Sequence, residues 1–169
     1  MSWSWPSLGD RTVLTAGFDE SVEQFAPAPD DRRVYFLAEQ AGHTQLFEVA
    51  LGSGKVRPVG SLASGTYSRI AVGGTAKAPA IAAIWSSAVQ PHELGRIDPG
   101  TGRWTALSTF NAERAAGIDW QPAEEFWFTS SRGRKIHSLL VKPPGFDPAK
   151  KYPLFVLIHG GPHNMWKDD

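Results

Sequence analysis

The stretch HTQLFEVALGSGKVRPVG, residues 43–60, can be laid without a gap over PHELGRIDPGTGRWTALS, residues 91–108. At this offset of 48, Leu46 falls on Leu94, Val49 on Ile97, Gly52 on Gly100, Gly54 on Gly102 and Val56 on Trp104. The match continues upstream, where Val34, Tyr35 and Phe36 of RVYFLAEQ (33–40) meet Ala82, Ala83 and Ile84. A third, partial copy sets LTAGFDESVEQF (14–25) against VGSLASGTYSRI (59–70) and LSTFNAERAAGI (107–118). Self-similarity at a fixed spacing is the mark of a repeat architecture.

Each unit reads as short strands separated by turns. LGSGK and DPGTGR are tight turns in which glycine supplies a positive φ, and alternating apolar residues flank them as in hairpin strands. No helical period runs through residues 10–110. Units of this length with roughly four strands each predict β-propeller blades, about two of them plus part of a third. A plain antiparallel sandwich is the alternative; the fixed offset over so long a window favours blades. A propeller closes with about four to eight blades, so this chain predicts an incomplete ring.

After Trp120 the pattern changes, which puts a domain boundary near residue 120: incomplete blades over 1–120, a second domain beginning over 121–169. EEFWFTSS (124–131) and KIHSLLVKPP (135–144) read as a hairpin around RGRK, the second strand stopped by prolines that cannot donate to a ladder. LFVLIHG (154–160) is a continuous apolar run, expected to be a strand buried on both faces, as at the centre of an α/β sheet. His159, Gly160, Gly161 and Pro162 follow directly. A glycine pair leaves backbone amides free after a strand, and Pro162 pushes Gly161 toward an extended shape. Donors displayed at the carboxyl end of such a strand can stabilise an oxyanion; the bland alternative is a simple strand-to-helix link.

The string from Glu124 to Trp166, with KPPGFDPAKKYP before the apolar run and HGGP after it, closely resembles the start of the catalytic domain in the prolyl oligopeptidase family of serine peptidases. It is nearest to the dipeptidyl-peptidase and acylaminoacyl-peptidase branches. The resemblance implies a β-propeller placed before an α/β-hydrolase domain, a Ser-Asp-His triad, short peptides as substrate, and an oxyanion-hole amide from Gly160 or Gly161, with His159 and Pro162 shaping the turn. It also implies a truncated segment. The nucleophile of such enzymes sits in a G-x-S-x-G elbow, and no such string occurs here; GSLASG (60–65) has the wrong spacing. The chain alone is therefore expected to be inactive. The rival expectations are a non-catalytic β-rich binding module that self-associates through open sheet edges, and an inactive half of a split peptidase.

Composition narrows the rest. With 17 basic and 17 acidic residues and a net charge of +0, neither nucleic acid nor a membrane surface is an expected partner. There are no cysteines, so disulfides and thiolate metal sites are excluded. MSWSWPSLGD does not read as a signal peptide and no run reaches membrane-spanning length, leaving the compartment, cytoplasmic or periplasmic, open. His159 and His163 have a helical metal spacing, but the intervening Gly-Gly-Pro forbids a helix; no metal and no cofactor are expected. His43 and His92 read as solvated loop histidines, Glu124 and Glu125 as a solvated strand start, RGRK as a solvated turn, and the tryptophans as packing residues.

Overall fold

The structure is a computed structural model that describes residues 2–3, 9, 11–161 and 165–169. It is nearly all antiparallel β. A two-stranded piece pairs β1 (Ser2–Trp3) with β2 (Arg11–Thr12). The first four-stranded sheet takes β3 (Val22–Pro27), β4 (Arg33–Gln40), β5 (His43–Ala50) and β6 (Val56–Pro58) in chain order. The second repeats the order with β7 (Thr66–Thr75), β8 (Ala78–Ser87), β9 (Gln90–Ile97) and β10 (Trp104–Ala106). A single turn of helix, α1 (Ala112–Ala115), precedes a hairpin of β11 (Ala123–Thr129) and β12 (Lys135–Val141).

The sheets superpose strand for strand, and register shows where the repeat slips. Val49 pairs with Val34 and Ile97 with Ile81; Leu46 pairs with Leu37 and Leu94 with Ile84. Thus β5 and β9 are related by 48 residues but β4 and β8 by 47, a one-residue correction to the sequence alignment of that strand. The extra residue lies in β9, where Pro91 and His92 together oppose Ser86. In the innermost strands the offset is 45, the one that set residues 14–25 over 59–70, and both strands carry a bulge at the same place: Glu23 in β3 and Ser68 in β7. A bulge repeated in kind and position is a designed feature of the unit.

Period-2 alternation gives each sheet two faces. On the first, Phe36, Ala38, Phe47 and Val49 turn one way and pack with Leu14 and Phe18. Tyr35, Leu37 and Leu46 turn the other way, onto Ile70, Ile81, Ala83 and Ile97 of the second sheet. Since Val34, Phe36 and Val49 correspond to Ile81, Ala83 and Ile97, the same face of each sheet packs against what precedes it. This head-to-tail stacking is how blades follow one another around a ring; the ring is not closed here.

The aromatic filling is rearranged between units. The first stacks Phe36 on Phe47 (5.6 Å) with Phe18 edge-on, whereas the second leans Trp85 on Trp104 (5.3 Å) and has Ala83 and Gly95 at the equivalents of the two phenylalanines. A Cβ on Gly95 would fall 2.1 Å from the Trp104 ring. Gly54 and Gly102 hold the expected positive φ, 65° and 72°. Gly102 also abuts Gly60, whose Cα would lie 2.3 Å from an added Cβ, so the sheets touch there backbone to backbone.

Two expectations fail. Residues 107–118, aligned as a further partial copy, contain α1 instead of a strand. Glu93 accounts for this: its carboxylate accepts N–H bonds from Phe110 (3.1 Å) and Asn111 (2.7 Å), pinning the chain where the helical turn starts. The second is the buried strand at residues 154–158, which is in no sheet and exposed throughout, from 69% at Val156 to 88% at Ile158. An apolar run becomes a strand only beside another strand that takes its N–H and C=O groups, and among the described residues none lies alongside it.

Candidate functional site

The turn between β4 and β5 (Ala41 and Gly42), the turn between β8 and β9 (Ala88 and Val89) and the approach to β7 at Gly65 gather at one end of the two sheets. Both later parts of the chain dock there. The hairpin arrives through Glu125, whose Oε1 lies 3.0 Å from His43 Nε2 and whose Oε2 lies 3.4 Å from His137 Nε2. His43 is 8% exposed, and its other nitrogen, Nδ1, is 2.8 Å from the Gly65 carbonyl oxygen. Gly42 leaves room for this approach: a Cβ there would be 2.8 Å from His137 Cε1. Trp127, the cross-strand partner of His137, leans on its ring, with centroids 4.7 Å apart.

The segment after the glycine turn arrives through Lys167 and Asp168. The Lys167 ammonium pairs with Glu39 (2.5 Å) and Glu23 (3.2 Å). Partial burial disfavours the charge, but hydrogen bonds to Glu39 and Glu23 outweigh it and hold the ammonium above its ordinary range.

The structure places the sequence-selected residues as follows. His159 and Gly160 are exposed and in no regular element. The His159 ring stands edge-on to Trp166 at 6.4 Å. Gly161 adopts φ +92°, a conformation that favours glycine, and a Cβ on Gly160 or Gly161 would meet nothing within 4 Å. The amides of both glycines are thus displayed at an open turn. Pro162 and His163 lie outside the described residues. His43 is not a solvated loop residue but the buried first residue of β5. Glu125 is not merely solvated, since it bridges two histidines, whereas Glu124 is an exposed partner of Lys142 at 2.7 Å. Sequence reasoning missed the His43–Glu125–His137 bridge and the docking of Lys167 and Asp168. Apart from the 12-residue step between Glu125 and His137, these contacts join residues 80 to 144 positions apart, and the repeat places only the first member.

With this geometry in view, the similarities are specific. The dipeptidyl-peptidase 5 of Porphyromonas gingivalis is 30% identical over 158 residues, 94% of this chain. The likeness supports a segment of a prolyl oligopeptidase-family peptidase. A second relative in the family, dipeptidyl-peptidase 5 of Schizosaccharomyces pombe, is 34% identical over 138 residues, 80% of the chain. The chain spans about a fifth of the length of these curated relatives, 22% and 18%. No family profile matches it. Among solved structures, an acylaminoacyl peptidase in complex with Z-Gly-Gly-Phe-chloromethyl ketone superposes with a TM-score of 0.69 at 19% identity, covering 86% of this chain and 21% of that one. The Pyrococcus horikoshii acylaminoacyl peptidase gives a TM-score of 0.64 at 18% identity over 83% of this chain and 20% of that one. At these identities the two structures speak for the fold: antiparallel sheets of propeller-containing peptidases.

Proposed function

We propose that this chain supplies two blades and the oxyanion-side turn of a serine-type peptidase that hydrolyses short peptides, with the blades giving way to the hydrolase part near residue 120. The observation that carries this reading is the similarity to dipeptidyl-peptidase 5 over 94% of the chain. The exposed turn at residues 159–161 adds chemistry to it. When a nucleophile attacks a peptide carbonyl, the oxygen gains negative charge, and preorganised backbone donors stabilise it without reorganising at the moment of reaction. The Gly160 and Gly161 amides are such donors.

A donor without a nucleophile and base gives no acyl transfer by this route. The sequence holds no G-x-S-x-G string, so the 169-residue polypeptide by itself is inactive. The purified chain is expected to release chromophore from a dipeptidyl p-nitroanilide no faster than buffer. Turnover about a hundredfold above buffer, abolished by a serine-directed phosphonate, would overturn this.

Self-association is a second reading, favoured by one observation. The face of the second sheet turned away from the first is uncovered, with Leu94 40% and Leu107 64% exposed. A clean monomer on size exclusion at high concentration removes it.

A further inference from the structure

Residues 165–169 belong to no strand or helix, yet they are tied to both sheets. The Asp168 N–H donates to the Gly42 carbonyl at 2.9 Å. Its carboxylate accepts the Gly65 N–H on Oδ2 at 2.6 Å and the Ala88 N–H on Oδ1 at 2.8 Å. One residue thereby joins equivalent turns of successive sheets, its backbone N–H at Gly42 in the first and its carboxylate at Ala88 in the second. Hydrogen bonds to an ionised acceptor are about twice as strong as neutral ones, and here each carboxylate oxygen has its own donor.

Lys167 gives this docking a direction. Its partners in the first sheet are Glu23 and Glu39; the equivalent positions in the second are Ser68 and Ser86. The repeated backbone would accept the segment at either sheet, but only the first offers charge. The hairpin is already held at the same end through Glu125, so the chain between Val141 and Lys167 is tethered at both ends. Gly161 lies seven residues before Asp168, a span of at most about 25 Å.

We propose that Asp168 is a positioning residue: by seating its carboxylate across the Gly65 and Ala88 amides, it sets where the turn at residues 159–161 stands relative to the two blades. The functional weight of this rests on reading that turn as the oxyanion side, but the tether is testable without it.

The absence of cysteines makes site-specific labelling clean. Spin labels at Lys77→Cys, on the second sheet, and Leu157→Cys, beside the turn, report the distance in the otherwise native chain. A single narrow distribution is expected there and in Asp168→Glu, which keeps both carboxylate oxygens. In Asp168→Ala and Asp168→Asn the width should at least double, because an asparagine would turn an NH2 group toward one of the two N–H donors. Exchange of the Gly65 and Ala88 amides should quicken at least tenfold, while the core amides of Leu37 and Ile81 keep their rates. An unchanged distribution with Asp168→Ala overturns the proposal; so does equal quickening of the core amides, which would make Asp168 a general stabiliser. Neither readout involves hydrolysis, so a negative result removes the tether and leaves the peptidase reading standing, whereas a failure of that reading leaves the tether intact.

Discussion

Gln24 behaves toward Ile70 as a strand would: its Nε2 donates to the Ile70 carbonyl and its Oε1 accepts the Ile70 N–H, each at 3.0 Å. Through this one side-chain amide the innermost strand of the first sheet is joined to the innermost strand of the second. Ile70 is 6% exposed, so neither of its backbone groups can turn to bulk water instead. Gln24→Ala should therefore destabilise the chain by roughly 1–3 kcal/mol, the cost of leaving such groups unpaired. Gln24→Glu should recover only part, since a carboxylate accepts but cannot donate. Urea unfolding midpoints of the three proteins check this ordering.

The second sheet tolerates no side chain at Gly95. A Cβ there would collide with the Trp104 indole, itself leaning on Trp85. Gly95→Ala is expected to cost about 1–3 kcal/mol by overpacking. Gly95→Ala combined with Trp104→Val, the residue found at the equivalent position of the first sheet, should lose less than the sum of the two single changes. A four-protein unfolding cycle measures the coupling.

Acid should loosen the blades at defined points. Asp30 is held below its ordinary 3.8 chiefly by the Arg32 amide. Glu93 is held below 4.5 by the Ser108 hydroxyl and then the Asn111 amide. Asp98 is held below 3.8 by the Thr101 amide and hydroxyl. A carboxylate whose folded pKa is depressed contributes stability that is complete above the unfolded value and is lost as pH falls through the folded one. Stability should thus hold from neutrality down to about pH 5 and decline below about 4. The triple variant D30N/E93Q/D98N should show a shallower decline between pH 5 and 3 in thermal midpoints.

Residues 154–158 expose five apolar side chains in succession, with an unpaired backbone and no charge. Such a segment recruits other copies into β-structure. Val156→Asp should lower the light scattering of concentrated protein several-fold on incubation while leaving the melting temperature within about two degrees. Equal aggregation by the variant would place the hazard elsewhere, with Leu107 and the uncovered sheet face next to be tested.

The blades were legible because they are built from local signals repeated: alternating residues such as Val34 and Phe36 against Tyr35 and Leu37, and glycines at Gly54 and Gly102 where the turn demands them. What was illegible depends on partners. The helical turn at residues 112–115 is held from Glu93, a residue two elements away. The run at residues 154–158 has the composition of a buried strand, but composition does not supply the neighbour that makes one. At the candidate site, the glycine turn was visible as a motif, while the residues that anchor its surroundings, His43, Glu125 and Asp168, come from widely separated stretches and looked ordinary in each.

The extra residue at Pro91 and His92 has a bearing on how such a unit accepts change. An insertion within a strand inverts the facing of every residue on one side of it. Here it is absorbed as a bulge next to the turn: Gln90 still pairs with Ser87 as His43 does with Gln40, and Glu93 through Ile97 keep the facing the core requires. The turn-proximal end of this blade is therefore where a change of length is taken up, at the same rim where the hairpin and Asp168 dock. The scaffold can vary in size at that rim from blade to blade while the interior stays in step.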